Sequence, residues 1–263
     1  MSPGTRRKRG LYWLVIIFCL AVGYYLLTGN WVWRVTAPSW IADISPVPGS
    51  DEAALYPMVV VAPSDGPGQY SIKLFRQREG LTQVPLMPVP GVQEVKEGKL
   101  VFRPDQVLVP DSTYVVVIAG KADRKRIFRY RFRTVEMGDR FWMDVKLGRV
   151  HTATVYKGRE PVKWMVASGG RPGCETPLGI FYAGDRGERF WSVRYGEGAM
   201  YWVRLKGNYL IHSVPRGTGW KIKTEEHAKL GLPASHGCVR LGDADAKWVY
   251  DNLPQGSMVV IHP

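Results

Sequence analysis

The chain has 263 residues, of which 45% are hydrophobic and 22% charged, a globular composition with enough apolar material for one or two packed domains. A formal net charge of +13 points to an anionic partner: nucleic acid, membrane head groups or an acidic polymer. Three cysteines, Cys19, Cys174 and Cys238, fall short of the even, patterned set that a disulfide-stapled scaffold needs.

The N-terminus narrows the partner. Thr5-Arg6-Arg7-Lys8-Arg9 is followed by an uncharged apolar run from Leu11 to Leu27, near the lower limit for crossing a bilayer and extended by Thr28 to Trp33. The order predicts a cytoplasmic basic tail over 1–10, one transmembrane helix over 11–28 and an extracytoplasmic remainder, with Trp31, Trp33 and Trp40 at the outer interface. A cleaved signal peptide shares the basic-then-apolar order. Its apolar core is usually shorter, and Val35-Thr36-Ala37 before Pro38 is a poor cleavage site. Cys19 lies within the apolar run as a small filler. An extracytoplasmic location argues against nucleic acid as a partner and leaves membrane head groups and acidic polymers.

Residues 29–54, rich in Pro, Gly and Trp, read as a linker. Residues 55–136 hold short β-like runs at Met58–Ala62, Tyr70–Arg76, Lys99–Arg103, Tyr114–Ala119 and Ile127–Val135. In the last of them aromatics and arginines take opposite faces. Such spacing predicts a small β-sandwich. The stretch from Leu100 to Gly120 resembles the Ig-like modules of bacterial surface proteins, which implies a spacer or binding domain.

Residues 139–263 are again strand-rich: Phe141–Leu147, Thr152–Lys157, Val162–Ser168, Gly179–Ala183, Tyr201–Leu205, Tyr209–His212 and Met258–His262. Helices are expected only over Ala244–Asn252, with Asp243 as N-cap, and over Thr224–Leu230. The fold class is therefore mainly β. The segment Ser235-His236-Gly237-Cys238-Val239-Arg240-Leu241 concentrates what a thiol nucleophile needs. His236 and Arg240 bring positive charge or N–H donors, Gly237 permits close approach, and successive N–H groups offer an oxyanion site. Five histidines can supply a base. His151 opens a polar strand and reads as exposed, His262 is near the terminus, and His227 lies in a charged helical patch. His212 ends the apolar strand Tyr209-Leu210-Ile211 before a Gly/Pro loop, where functional groups commonly sit.

Taken together, residues 140–263 resemble the L,D-transpeptidase (YkuD-like) catalytic domain. The resemblance is carried by the opening strand, Thr176-Pro177-x-Gly179, Ile211-His212, the Ser235–Leu241 motif, a terminal helix, and Gly256, Val259 and Ile261. It implies a β-rich fold in which Cys238 is the nucleophile and His212 the general base. The Ser213 carbonyl would orient the imidazole, and His236, Gly237 and Cys238 would line the oxyanion region, supported by Ser235. Arg240 would position substrate or loop, and Thr176 and Gly179 would shape a turn. No metal or organic cofactor is implied. The implied reaction is two-step acyl transfer on peptidoglycan stem peptides, ending in a cross-link, with anionic wall polymers as further partners.

Three departures and alternatives stand beside that reading. The His212–Cys238 spacing includes an insertion, residues 216–234, that reads as a surface loop or part of a lid. Cys174 is buried, near the site, or paired with another thiol. The same residues also fit an L,D-carboxypeptidase or an enzyme that anchors proteins to peptidoglycan, and a non-catalytic wall-binding module is the alternative of another class. A sortase-like reading lacks its Thr-Leu-x-Thr-Cys motif, and papain-like enzymes place cysteine before histidine.

Overall fold

The computed structural model describes residues 36–78, 86–123 and 126–263. The basic tail, the apolar run expected to span the membrane, and the first part of the linker lie outside the described residues. Among the described residues no helix is long and apolar enough to cross a membrane. The chain divides into two compact units.

The first unit takes the described chain up to Ala53, then Met58–Arg103 and Ser112–Arg133. Its strands are β1 (Ile41–Ser45), β2 (Val59–Pro63), β3 (Tyr70–Gln77), β4 (Leu86–Val89), β5 (Gly91–Lys96), β6 (Lys99–Pro104), β7 (Thr113–Gly120) and β8 (Ile127–Arg133). They form two four-stranded sheets, ordered β1-β2-β6-β5 and β4-β3-β7-β8. The alternation read from the sequence governs β8: Phe128, Tyr130 and Phe132 are buried while Arg129 and Arg133 face solvent. Residues 41–45, expected to be linker, instead form β1 and pair with β2. Strands β4 and β5, which lack an alternating apolar face, were not anticipated.

The second unit comprises Ala54–Pro57, Pro104–Asp111 and Thr134–Pro263. Its strands are β9 (Phe141–Leu147), β10 (His151–Lys157), β11 (Glu160–Ser168), β12 (Gly179–Tyr182), β13 (Arg186–Ser192), β14 (Glu197–Lys206), β15 (Tyr209–Ser213), β16 (Val239–Leu241) and β17 (Met258–His262). Two helices, α1 (Thr224–His227) and α2 (Asp243–Asn252), complete it. The nine strands are ordered β12-β17-β9-β10-β11-β16-β15-β14-β13. Only β15–β16 and β17–β9 run parallel.

Period-two burial explains why these segments are strands. On β9, Met143 and Val145 join Val155, Met165, Ile211, Val239 and the α2 residues Ala246 and Val249 in one core. Trp142 turns the other way and packs with Leu55, Met137 and Val260. Its indole N–H donates to the Gly158 carbonyl at 2.7 Å, and its ring stacks on Tyr156 at 4.4 Å, so its polar edge is satisfied.

Two local expectations need correction. Asp243 is the first residue of α2, with Gly242 at the N-cap, because its carboxylate is drawn to the Arg216 guanidinium instead of to the helix's own N–H groups. The other helix is a single turn, Thr224–His227, whose N-cap is Lys223 with no side-chain cap. Elsewhere, His151 is buried, not exposed: its backbone N–H donates to the Gly231 carbonyl and its Nδ1 accepts from the Gly169 N–H, both at 2.9 Å.

Candidate active site

The parallel pairing of β15 with β16 builds the site. It sets Ile211 opposite Val239 and His212 opposite Arg240. Cys238 immediately precedes β16, so the same register carries it alongside Leu210, on the face that Leu210 shares with His212. The Leu210 N–H donates to Cys238 Sγ at 3.4 Å, and the thiol donates to the Asn208 carbonyl at 3.5 Å. Cys238, His212, His236, Ser235 and Arg240 all line one cavity of about 750 Å³, within the range of small-molecule and peptide sites.

The imidazole is fixed in one tautomer. His212 Nδ1 lies 2.6 Å from the Ser213 carbonyl oxygen. A carbonyl only accepts, so Nδ1 carries the hydrogen and Nε2 keeps its lone pair. The Ser213 hydroxyl accepts from the Met200 N–H at 2.9 Å and donates to the Val214 carbonyl at 3.0 Å, fixing the carbonyl-bearing backbone. The Phe190 ring meets the imidazole edge-on at 5.4 Å.

Electrostatics leave both reactive groups neutral. Burial lowers the His212 pKa to about 4, with the Arg240 charge acting in the same direction against the Ser213 hydrogen bond. Burial pushes the Cys238 thiol up, while the Leu210 N–H and Arg240 pull the other way. At neutral pH the two are thus a thiol and an unprotonated imidazole. The same shift sets an acid sensitivity. An unfolded histidine titrates near 6.5 and the folded one near 4, so unfolding takes up a proton between those values. His212 contributes its full stability above pH 6.5 and loses it as pH falls towards 4. We expect about 3 kcal/mol of acid destabilisation from this group. Denaturant titrations at pH 7 and pH 4 should show that the His212→Gln variant lacks this increment.

The loop before β16 is held by Ser235. Its hydroxyl donates to the Cys238 carbonyl at 2.5 Å and accepts from the Gly237 N–H at 3.0 Å. The Gly237 N–H, expected to face an oxyanion, is therefore committed within the loop. Gly237 has φ +114°, and a Cβ there would sit 2.7 Å from the Tyr209 ring. The Gly237→Ala variant should lose about 1–3 kcal/mol in thermal or denaturant melts, since neither φ nor space suits a side chain. His236 stacks on Tyr195 at 4.3 Å, and burial followed by the Arg171 and Arg240 charges lowers its pKa.

Arg240 is deeply placed, its side chain 5% exposed. It reaches Glu226 at 2.5 Å, Glu197 at 3.4 Å and the Ala234 carbonyl at 3.3 Å. These contacts tie the insertion to the cavity wall through Glu226 of α1. Sequence reasoning missed Glu226, Glu197, Phe190 and Tyr195. The Glu225-Glu226 pair in the insertion was the one available signal. Thr176 shapes its turn as expected, its hydroxyl accepting from the Gly170 N–H at 2.8 Å, and Gly179 takes φ +129° at the start of β12. Cys174 and Cys238 are both free thiols, which removes a bridge between them, and Cys174 is half-buried and does not line the cavity.

This arrangement lies within a matched segment. Residues 140–261 match the YkuD family, the L,D-transpeptidase catalytic domain. Over 126 residues the chain is 44% identical to YciB of Bacillus subtilis (strain 168), named as a candidate L,D-transpeptidase, covering 46% of this chain and 64% of that protein. Over 125 residues it is 30% identical to L,D-transpeptidase 1 of Mycobacterium tuberculosis (strain ATCC 25618 / H37Rv), covering 42% of this chain and 46% of that one. The chain thus spans less than two thirds of the length of each of these relatives. Among solved structures, an L,D-transpeptidase from Mycobacterium smegmatis aligns at 18% identity and a TM-score of 0.40, over 86% of this chain and 100% of that one. The YkuD-matched segment contains Cys238, His212 and every residue that lines their cavity.

Proposed function

We propose that this chain is a peptidoglycan L,D-transpeptidase working through a Cys238 thioester. The observation that carries the reading is the neutral His212, locked with its Nε2 lone pair available and sharing a cavity with Cys238 inside the YkuD-matched segment. His212 Nε2 accepts the thiol proton as Sγ bonds to the carbonyl carbon of the third residue of a stem peptide. The carbon–nitrogen bond to the terminal D-amino acid breaks, and His212 returns the proton to the leaving amine. An amine of a second stem then attacks the thioester, giving a cross-link and restoring the thiol. The Leu210 N–H supports sulfur while it carries negative charge.

The rest of the molecule fits a wall enzyme. We read residues 11–28 as a single-pass anchor with the catalytic unit outside the membrane, supported by the basic residues before that run. The +13 charge favours carboxylate-rich stems and anionic wall polymers. The first unit, with its two four-stranded sheets, is read as an Ig-like spacer or binding module.

The test is mass spectrometry of the full-length chain incubated with a tetrapeptide-stem muropeptide. We expect an acyl adduct on Cys238, release of the terminal D-amino acid and a dimeric product, all lost in the Cys238→Ala variant. Release without dimer would identify a hydrolase, and no adduct on a folded protein with a free thiol would refute catalysis.

A further inference from the structure

The cavity around Cys238 carries an unbalanced charge that identifies part of its ligand. Four cations line it, Arg194, Arg204, Lys206 and Arg240, against one carboxylate, Glu197. Two of the four are committed. Arg240 is held by Glu226 and Glu197, and Arg204 by Asp185 at 2.7 Å and by the Gly207 carbonyl. Glu197 is itself engaged by Lys223 at 2.9 Å as well as by Arg240. Among the described residues, Lys206 and Arg194 have no ion-pair partner. Both are exposed, and Arg194 lies 5.4 Å over the Tyr195 ring.

Their placement along the sheet is informative. Lys206 ends β14 and pairs with Tyr209, one residue before the Leu210 whose N–H touches Cys238 Sγ. Arg194 lies in the turn that joins β13 to the other end of β14, beside the Tyr195 that stacks on His236. Strand β14 is irregular, with Tyr201 at φ +55° and a register shift between Arg204 and Lys206, and both cations line the one cavity that holds Cys238. The aromatics Phe190, Trp191, Trp202 and Tyr209 line the same cavity. A concave surface with uncompensated positive charge concentrates anions.

We infer that the acyl donor is a peptide with free carboxylates, and that Lys206 and Arg194 discriminate it from the amidated form of the same peptide. This rests on the acyl-transfer reading for its kinetic form. Lys206, opposite Tyr209 and next to the Leu210 that touches Cys238 Sγ, acts on donor binding, not on the chemical step. Exposed charge pairs are individually weak, so each cation is expected to change affinity severalfold.

The experiment compares the full-length chain and its Lys206→Gln and Arg194→Gln variants on two tetrapeptide donors, one with free carboxylates and one with those groups as amides. For the unaltered chain we expect KM about tenfold lower for the acid donor. Lys206→Gln should shrink that acid-to-amide ratio to about twofold through KM, with kcat changed less than twofold, and Arg194→Gln should shrink it less. Equal KM values for both donors in the unaltered chain, or a Lys206→Gln effect equal on both, would overturn the inference. Calorimetric binding of the same two peptides to the Cys238→Ala variant separates this from the reaction itself. A severalfold preference for the acid peptide there supports the inference even if no donor acylates Cys238, and equal affinities refute it even if acylation is confirmed.

Discussion

The His212→Gln variant should acylate Cys238 about 10³-fold more slowly than the unaltered chain at pH 7, within the range that a positioned general base contributes. The expectation follows from the neutral resting state. Burial raises the thiol pKa, so little thiolate exists without help, and His212, at about 4, is unprotonated and ready to accept. Glutamine keeps comparable volume but cannot take the proton. The pH profile carries the distinguishing signature. The unaltered chain should retain acylation from neutral pH down to about 4 and lose it below, where His212 protonates. The variant should instead gain rate as pH rises, because hydroxide can deprotonate the thiol directly. Single-turnover mass spectrometry across pH measures both. Acylation by His212→Gln within tenfold of the unaltered chain at pH 7 would remove His212 from the role of base.

The Arg240→Met variant should lose about 3–5 kcal/mol of folding stability, the usual cost of removing one partner from a buried ion pair. Arg240 faces two carboxylates in a position with little access to solvent. Glu226 shows how they are kept ionised. Burial raises its pKa, but Lys229 and Arg240 together outweigh that and leave it lowered. After the substitution Glu226 retains Lys229 and Glu197 retains Lys223, which places the loss towards the lower end of the range. The Arg240→Met/Glu226→Gln double variant should recover part of it, since one of the stranded charges is gone. Denaturant unfolding of the single and double variants is the measurement. A loss below 1 kcal/mol for the single variant would show that the pair has little net value. Arg240 also lowers the pKa of both His212 and Cys238, so its removal should move the acid limb of acylation upward.

How legible this site was depended on the kind of contact involved. Strands β9 and β17 were readable to the residue, since Phe-Trp-Met-Asp-Val-Lys-Leu and Met-Val-Val-Ile-His carry dense β-forming side chains. Cys238 and His212 were readable because a short motif and a strand end carry them, and they line one cavity, whereas the Ser213 carbonyl beside His212 was legible only through the family resemblance. Strand β1 was hidden by the surrounding Pro and Gly, and β5 by the charges of Gln-Glu-Val-Lys. The three residues of β16 are too few to show a period, although their parallel pairing sets the site. His151 looked exposed because its strand is polar, whereas its burial comes from Gly169 and the distant Gly231. The Arg240–Glu226 and Arg240–Glu197 pairs join elements with no local pattern in common. The interleaving of 54–57 and 104–111 with the catalytic unit is equally non-local.

The adjacency of β15 and β16 separates what this unit can vary from what it must keep. His212 and Cys238 are set by neighbouring strands, while the chain that connects them adds no strand of its own and touches the sheet at isolated bridges, Arg216 to Gly198 and Ser235 to Gly170. Lengthening such a connection is thermodynamically mild, about 0.6 kcal/mol for each doubling. The freedom is bounded by anchor points: Arg216 holds Gly198 and Asp243, Lys223 holds Glu197, and Gly231 and Ala234 bond to Ala167 and Gly169. Glu226 moors the connection to Arg240, so changes confined to 217–222 leave that mooring intact, whereas changes that displace α1 reach the wall of the cavity. The second unit thus sets Cys238 and His212 on fixed strands, with an adjustable threshold in front of them.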